Sequence, residues 1–295
     1  MFTGSIVALI TPFRDGAVDE SALRQLIRFH LENGTDGIVP CGTTGEAVTL
    51  SQAEWERVVS ITIEEVGGRI PVIAGAGTND TARTVELVRY ARNAGATGAL
   101  VVTPYYNKPT QRGLVAHYTE IANRVDLPLV VYSVQGRTGV NVLPETMVEL
   151  AQIDSVVAIK EASGNLEQIG LIAALCGDRV TLLSGDDTLT RPVLSVGGRG
   201  VISVVANIVP REVSDLVRLY TSGAHAEALQ LFYRLLPLSK AMFIETNPIP
   251  VKTAAAALGL APGGLRLPLV PMEEANRACL LRALHTFGLV EGVAA

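Results

Sequence analysis

The sequence predicts an α/β fold of the (β/α)8 class, a TIM barrel, followed by an all-helical C-terminal extension. Three observations carry this prediction: eight short apolar segments, a helical pattern after each of them, and an average spacing of about 28 residues between units. An open doubly wound sheet is the alternative. It is disfavoured because no apolar segment leads into a Gly-x-Gly-x-x-Gly turn with an acidic residue about 20 positions later.

The predicted strands are runs rich in Val, Ile, Leu and Ala that end near Gly, Pro or Asn, as expected for strands buried on both faces. They cover residues 5–13, 37–42, 71–77, 98–104, 128–134, 156–162, 180–186 and 200–207. The glycines of the third segment, Gly75 and Gly77, indicate a tight turn. The intervening helices cover residues 19–33, 51–66, 80–94, 111–125, 144–152, 165–175, 187–196 and 209–221.

Helix starts carry capping residues. Asp19 or Ser21 is expected to cap the first helix, and Ser51 with Glu54 forms the Ser-x-x-Glu pattern of a capping box. Past residue 222 no strand pattern follows, and helical patterns cover 224–243, 251–258 and 273–287. We therefore expect two domains, a catalytic barrel at 1–222 and a helical domain at 223–295.

Composition excludes several functional classes. The chain is 48% hydrophobic and 18% charged with a net charge of −5, so it lacks the basic surplus that contact with nucleic acid requires. It has no basic leader and no apolar run of about 18 residues, which argues against secretion and against a membrane partner. The cysteines Cys41, Cys176 and Cys279 are odd in number and far apart, which favours a reducing cytoplasm over a disulfide framework.

Lys160 is the first candidate for a catalytic residue. It ends the apolar run Val156 to Ile159, where a strand buried on both faces has little reason to carry a lysine. An apolar interior disfavours the charged ammonium, and the neutral amine is a nucleophile that attacks carbonyl carbons. Lys160 is therefore a candidate Schiff-base lysine. The structural alternatives are a solvated strand end or a pair with Glu161.

Other polar residues follow the predicted strands and would meet in the bowl at the C-terminal face of the barrel. They combine hydroxyls for proton relay, a cation for a carboxylate, and a Gly-rich turn whose N–H groups can hold an anion. Each also has a structural interpretation as a turn, packing or surface residue, and Asp186 with Asp187 is interpreted as helix capping. The set is Thr11, Gly42 to Glu46, Tyr105, Tyr106, Asn107, Tyr132, Arg137, Gly185 and Asn207.

No metal site and no cofactor are predicted. The four histidines, His30, His117, His225 and His285, have no His-Glu-x-x-His spacing, and the cysteines form no Cys-x-x-Cys pair.

Several stretches together resemble the dihydrodipicolinate synthase (4-hydroxy-tetrahydrodipicolinate synthase) family of pyruvate-dependent class I aldolases. They keep their order and spacing over almost the whole chain. The matching stretches are Gly42-Thr43-Thr44-Gly45-Glu46, residues 102–109 (Val-Thr-Pro-Tyr-Tyr-Asn-Lys-Pro), Gly136-Arg137-Thr138-Gly139, residues 159–165 (Ile-Lys-Glu-Ala-Ser-Gly-Asn), residues 183–187, residues 200–203 and residues 247–252 (Asn-Pro-Ile-Pro-Val-Lys).

The resemblance implies a lyase of lysine and diaminopimelate biosynthesis that condenses pyruvate with L-aspartate 4-semialdehyde without a cofactor, usually as a homotetramer. It implies that Lys160 forms the imine with pyruvate and that Thr43 and Thr44 hold the pyruvate carboxylate. It further implies a proton relay of Tyr132, Thr43 and Tyr106, with Tyr106 reaching into a neighbouring subunit. Arg137 would bind the second substrate, and Gly185 and Ile202 would line the pyruvate pocket.

The sequence departs from the family pattern at two places. Family members commonly have Tyr-Asn-Val-Pro before Arg-Thr-Gly, whereas residues 132–135 are Tyr-Ser-Val-Gln, and losing the proline frees the loop that carries Arg137. The lysine regulatory site of feedback-inhibited members is also altered. Weak or absent inhibition by lysine is expected because a cation, Arg83, replaces an acid at a site formed by Gln52, Trp55, Asn79, Arg83 and Tyr105.

Two other functions stay open. One is a Schiff-base lyase of a sugar-derived 2-keto acid, such as 2-keto-3-deoxygluconate or N-acetylneuraminate, which would share Lys160 and Tyr132. Arg137 favours the semialdehyde, because polyol substrates call for hydroxyl partners instead of a cation. The other is a non-catalytic homologue that binds a keto acid, and the complete set of site residues argues against it.

Overall fold

The computed structural model describes residues 2–291, and eight parallel strands form its centre. The strands, numbered here β1 to β8, are Gly4–Ala8, Gly37–Val39, Ile73–Gly75, Gly98–Val102, Leu129–Ser133, Val156–Glu161, Thr181–Ser184 and Gly200–Ser203. Each overlaps one predicted strand and is shorter than predicted at its C-terminal end. Eight strands and the helices between them confirm the predicted barrel.

Eight helices alternate with the strands, and three more follow the barrel. Helices α1 to α8 are Glu20–Glu32, Gln52–Val66, Thr81–Ala94, Gln111–Arg124, Pro144–Leu150, Leu166–Cys176, Thr190–Ser195 and Pro210–Thr221. The C-terminal extension contains α9 to α11, which are His225–Ala241, Ile249–Ala257 and Glu274–Phe287. A four-residue helix, Gln135–Thr138, was not predicted.

The sheet closes with a weak join between β2 and β3. Its hydrogen-bonded order is β2-β1-β8-β7-β6-β5-β4-β3, so β2 and β3 are its two ends. A parallel bridge between Ile38 and Val72 joins these ends, and Gly75 N donates to Pro40 O at 2.9 Å. The chain therefore forms one barrel whose inward side chains surround a common axis.

The buried apolar side chains form two clusters, because successive residues of a strand point to opposite faces of the sheet. Inward side chains form a compact cluster inside the barrel, and the remaining buried side chains pack between the strands and the helices. The inner cluster consists of Phe2, Ile6, Ala8, Val39, Ile73, Leu100, Val130, Tyr132, Ala158, Leu183 and Ile202. A polar side chain on the inward register of a strand is therefore forced toward the axis.

Capping follows the predicted chemistry at the first two helices. Asp19, and not Ser21, caps α1 by accepting from Ala22 N at 3.0 Å. Ser51 and Glu54 form both hydrogen bonds of the capping box at α2. Both helix starts are therefore fixed by residues that the sequence identifies.

The first strand is shorter than predicted, because its continuation pairs with side chains and loops. Ile10 N donates to the side-chain oxygen of Asn207 at 3.0 Å, and residues 13–18 turn back as a hairpin of Phe13–Arg14 with Ala17–Val18. The hairpin turn contains Gly16 at φ +81°, a conformation that favours glycine. The chain therefore reverses at Gly16, and the paired strands around it were not predicted.

Gly75 and Gly77 permit close packing between strands and do not form the predicted tight turn. A Cβ at Gly75 would lie 2.1 Å from Cys41 O, and one at Gly77 would lie 2.3 Å from Val102 N. Gly75 lies within β3. Side chains at these two positions would push apart strands at the mouth of the barrel.

Candidate active site

Lys160 lies on the inward register of β6, two residues after the inner-core residue Ala158. Its side chain is 5% exposed, and its Nζ lies 4.3 Å from the centre of the Tyr132 ring. Tyr132 is its direct neighbour across the β5–β6 pairing. Glu161 faces the opposite side, where it accepts from Gln168 of α6 at 2.7 Å. The interpretations of Lys160 as a solvated strand end or a partner of Glu161 are both wrong.

A cavity of about 280 Å³ opens at the C-terminal ends of the strands; Lys160 is not among its lining residues, but the Tyr132 ring, 4.3 Å from the lysine Nζ, is. Tyr132 forms part of its wall, together with Thr43, Tyr105 and Arg137. The wall is completed by Cys41, Gly42, Ala47, Val48, Gly75, Gly77, Leu100, Val102, Val134 and Thr138. The cavity is large enough for a small keto acid and brings two threonine hydroxyls, two phenols and one guanidinium around the same space.

The turn from Gly42 to Glu46, which we call the carboxylate loop, is folded by its own backbone. Gly45 N donates to Gly42 O at 3.1 Å, and Glu46 N donates to Thr43 O at 3.1 Å. Within residues 2–291, the N–H groups of Thr43 and Thr44 donate no hydrogen bond. Two adjacent unpaired amides are suited to receive an anion.

Arg137 and Thr44 are connected through one residue of the C-terminal extension. The Asn247 side chain donates to Thr44 Oγ1 at 3.0 Å, and the Asn247 carbonyl accepts from Arg137 Nη2 at 3.1 Å. No role was predicted for Asn247. No local pattern indicates these contacts, because they join residues 203 and 110 positions apart.

Gly185 and Ile202, which were expected to line a pyruvate pocket, are not among the residues that line this cavity. Ile202 is fully buried in the same inner cluster as Tyr132. At Gly185 an added Cβ would lie 2.6 Å from the Ala162 Cβ and 3.0 Å from Glu161 O. The ends of β6 and β7 therefore approach too closely at this point for a side chain.

Tyr106 is separate from the other predicted site residues within this chain. Its side chain is 89% exposed, and its φ of +71° is uncommon for a residue with a Cβ. The neighbouring Tyr105 lines the cavity instead. Within one chain, Tyr106 is therefore presented to the outside of the site.

The predicted helix-capping role of Asp186 and Asp187 is wrong for the helix that follows them. Neither side chain caps the turn at Asp187–Leu189. Asp187 is buried and accepts from the N–H groups of Val204 and Val205 at 3.0 and 2.9 Å, which links β7 to the loop after β8. Burial raises the pKa of Asp186, and the positive charge of Lys160 partly opposes that rise.

Ser133, at the first departure from the family pattern, belongs to a buried polar network outside the barrel. Its Oγ accepts from Val142 N at 3.1 Å and contacts Asn141 Oδ1 at 3.4 Å. Asn141 in turn donates to Gln168 at 2.6 Å, and Gln168 donates to Glu161. Burial raises the pKa of Glu161. Ser133 thus supports the loop from outside, while Gln135 is exposed in the four-residue helix.

The residues of the predicted regulatory site have other partners in this chain. Trp55 is 4% exposed, and its indole N–H donates to Gly75 O at 2.9 Å. Arg83 donates to Gln52 at 3.3 Å and pairs with Glu86 at 2.8 Å. Asn79 accepts through its carbonyl from Asn107 at 2.8 Å. Trp55 therefore fills core space and is not available to a ligand.

A buried ion pair joins the carboxylate loop to the C-terminal extension, and it was not predicted from the sequence. Lys252 of α10 donates to Glu46 at 2.5 Å, and the two residues are 206 positions apart. The available signal was a lysine within the otherwise apolar helix at 249–257. Burial lowers the pKa of Lys252, and the hydrogen bond to Glu46 opposes that effect.

Among residues 2–291, no group of three or more His, Cys, Asp or Glu side chains could hold a metal ion. None of the helices described is long and apolar enough to cross a bilayer.

Comparisons with known proteins identify the relatives of this chain. The model of the dihydrodipicolinate synthetase family matches residues 1–286. The 4-hydroxy-tetrahydrodipicolinate synthase of Pelobacter propionicus is 56% identical over 290 residues, which cover 98% of this chain and 100% of that protein. The dihydrodipicolinate synthase structure from Thermotoga maritima has a TM-score of 0.97 and 47% identity, covering 98% of this chain and 100% of that one.

A third relative was crystallised with a substrate candidate. The chloride-inhibited dihydrodipicolinate synthase of Acinetobacter baumannii, complexed with pyruvate, has a TM-score of 0.97 and 43% identity, covering 98% of this chain and 100% of that one. The family match over nearly the whole chain and these full-length relatives confirm the resemblance found in the sequence. The chain belongs to the dihydrodipicolinate synthetase family.

Proposed function

We propose that this protein is a 4-hydroxy-tetrahydrodipicolinate synthase that condenses pyruvate with L-aspartate 4-semialdehyde through a Schiff base on Lys160. The observation that carries the proposal is the position of Lys160, an amine on the inward face of β6 beside Tyr132 at the open end of the barrel. The full-length relatives carry the same activity in their names, and one was crystallised with pyruvate.

In the proposed reaction, the Lys160 amine attacks the keto carbon of pyruvate and water leaves, which forms the imine. The imine is an electron sink, so loss of a methyl proton gives an enamine without a metal or organic cofactor. The enamine carbon adds to the aldehyde of the second substrate. The amino group of that substrate then displaces Lys160 and closes a six-membered ring.

The carboxylate loop and the hydroxyl groups serve these steps in two ways. The unpaired N–H groups of Thr43 and Thr44 would hold the pyruvate carboxylate and fix the keto carbon near Lys160. Tyr132 and Thr43, which line one cavity, would move protons to and from the hydroxyl groups formed during addition and dehydration. Gly185 and Ile202 would shape the inner wall of the pyruvate pocket.

Arg137 would bind the carboxylate of aspartate semialdehyde at the mouth. Its guanidinium lines the cavity and is held by the Asn247 carbonyl, so it is oriented before substrate arrives. A fixed cation favours a short substrate with a carboxylate over a polyol chain.

A homotetrameric assembly, a dimer of dimers in the cytoplasm, belongs to the same proposal. Tyr106 would complete the proton relay of a neighbouring subunit, which its 89% exposure and left-handed backbone support. Leu171 and Leu175 of α6 are also exposed, at 47% and 49%. The three cysteines are free, in keeping with a reducing compartment. We further propose 1–222 and 223–295 as the two domains.

Borohydride reduction in the presence of pyruvate tests the proposed chemistry directly. We expect a stable pyruvate adduct on the Lys160 peptide by mass analysis, and formation of the cyclic product when L-aspartate 4-semialdehyde is added. Absence of the adduct would favour a non-catalytic keto-acid-binding protein. An adduct with turnover only on 2-keto-3-deoxygluconate or N-acetylneuraminate would favour the sugar-acid lyase.

A further inference from the structure

We propose that Glu46 and Lys252 form a positioning pair through which the C-terminal extension holds the carboxylate loop in its pyruvate-binding shape. The inference rests on the proposed function, because it assigns a role relative to pyruvate. Neither residue touches the reacting atoms, so both would act through the loop and not on the substrate itself.

Both residues of the pair are buried, and each has a further partner besides the other. Lys252 is 0% exposed and Glu46 is 3% exposed. Lys252 Nζ lies 4.2 Å from the centre of the Phe13 ring, while the second carboxylate oxygen of Glu46 accepts from Arg266 N at 3.1 Å. Such a pair tolerates loss of one partner poorly, because a buried charge then has no counter-charge.

The backbone of Glu46 shows why a tether is needed. Its φ is +52°, in the left-handed region that residues with a Cβ seldom adopt. Glu46 N donates to Thr43 O at 3.1 Å, so the left-handed conformation lies where the loop ends and the chain enters the helical turn Ala47–Thr49. The side-chain bonds to Lys252 and Arg266 therefore hold a backbone conformation that the chain would otherwise leave.

Charge gives the pair a second effect on the same loop. Glu46 is buried and lies two residues after Thr44 in the chain, so a negative charge belongs to the same short loop as the amides proposed to receive the pyruvate carboxylate. Lys252 neutralises that charge at 2.5 Å. Without Lys252, the carboxylate of Glu46 would repel an anionic substrate in a region of low dielectric constant.

The test compares Lys252→Met, the doubly neutral variant Glu46→Gln with Lys252→Met, and the wild-type protein. The measured quantity is the pyruvate concentration that half-saturates borohydride trapping on Lys160. We expect Lys252→Met to raise it about tenfold or more, whereas the double variant should recover most of that loss because no unpaired charge remains. Arg234→Gln is a matched control, because it removes a cation packed on Phe287 within the extension, away from the loop.

Glu46→Asp keeps both charges and shortens the link by one methylene, so it tests positioning even where Lys252→Met fails to fold. We expect it to weaken pyruvate capture about threefold or more. Adduct formation in the wild type with unchanged half-saturation in Glu46→Asp, or equal losses in Lys252→Met and the double variant, would overturn this inference alone. Absence of any wild-type adduct would overturn the proposed function and this inference with it.

Discussion

A single inward lysine gives this barrel its proposed chemistry. Lys160 is 5% exposed and its Nζ lies 4.3 Å from the centre of the Tyr132 ring, so the amine is largely shielded from bulk water. An amine is a nucleophile toward carbonyl carbons. The cavity on the other side of the Tyr132 wall residue offers two hydroxyls, two phenols and a guanidinium within one small volume.

Replacing Lys160 by arginine should abolish the reaction while leaving the fold intact. A guanidinium stays charged and forms no imine, so we expect turnover to fall by at least about a thousandfold. Steady-state assays and borohydride trapping measure the loss. Lys240→Arg, at an exposed position of α9, is the control and should keep full activity. Appreciable turnover in Lys160→Arg would contradict a Schiff-base mechanism.

Free L-lysine should inhibit this protein weakly or not at all. Arg83 places a cation where the regulator's own cation would lie, and Trp55 is buried with its indole N–H bound to Gly75. Activity measured against increasing lysine should therefore stay nearly constant. Complete inhibition in the low-millimolar range would contradict the prediction, and Arg83→Glu is the variant in which sensitivity should increase.

Among the elements, α2 shows how one helix start joins two parts of the fold. The capping box of Ser51 and Glu54 begins the helix, and Glu54 also pairs with Arg266 of the C-terminal extension. The hydrogen bond from Arg266 lowers the pKa of Glu54 to about 2. The same carboxylate therefore caps a barrel helix and anchors the segment that follows α10.

Ser51→Ala should lower the free energy of unfolding by about 1 kcal/mol, because Glu54 N then loses its side-chain acceptor. Urea unfolding followed by circular dichroism measures the change. Ser21→Ala is the matched control: Ser21 lies exposed in the first turn of α1, which Asp19 already caps, so its loss should stay within about 0.5 kcal/mol. Equal losses in the two variants would show that the cap contributes little.

At the scale of the whole molecule, buried polar groups connect distant parts of the chain. Lys252, Arg266 and Asn247 of the extension all bond to the barrel near its C-terminal face. His30 lies in the core between α1 and the barrel, where its Nδ1 contacts Thr35 Oγ1 at 3.0 Å. A buried imidazole is accommodated in the folded state as the neutral form, so folding is linked to pH through His30.

Acid should destabilise the fold through its buried histidines. Burial lowers the pKa of His30 from 6.5 to about 3. As the pH falls below 6.5, this histidine therefore becomes protonated in the unfolded chain while it stays neutral in the folded chain, which favours unfolding. Between neutral pH and pH 5 the free energy of unfolding should fall by about 2 kcal/mol for this group. His117, with its pKa lowered by burial to about 4, acts in the same direction.

Urea unfolding at several pH values measures this dependence. His30→Gln should remove a large part of the fall in stability between pH 7 and pH 5, even if it lowers stability at neutral pH. His285→Gln, at an exposed position of α11, should leave the pH dependence unchanged. An identical pH dependence in His30→Gln and the wild type would contradict the assignment.

Local patterns predicted those features that depend on neighbouring residues. The strand around Lys160, the capping box at Ser51 and the eight βα units could all be predicted. The hydrophobic period, the length of a segment and its capping residues each depend on a few neighbouring positions. The match of Thr43, Tyr132, Arg137 and Lys160 to a family pattern also located the residues that the barrel brings to one end.

Features that depend on distant partners could not be predicted in this way. The bond between Glu46 and Lys252 and the two contacts of Asn247 join residues more than 100 positions apart. Asp187 followed the rule for a capping residue, but tertiary structure offered it the amides of Val204 and Val205 instead. The strand ends were predicted too long because apolar residues continue into loops that are equally buried.

The alternation of Lys160 and Glu161 makes activity an indicator of strand alignment. The amine and the acid are consecutive in β6 and lie on opposite faces, so a shift of one residue against β5 would exchange them. A misaligned molecule would present the Glu161 carboxylate to the keto acid. It would form no imine at all and would not merely react more slowly. The fraction of protein that accepts one pyruvate under borohydride therefore counts the correctly assembled molecules in any preparation.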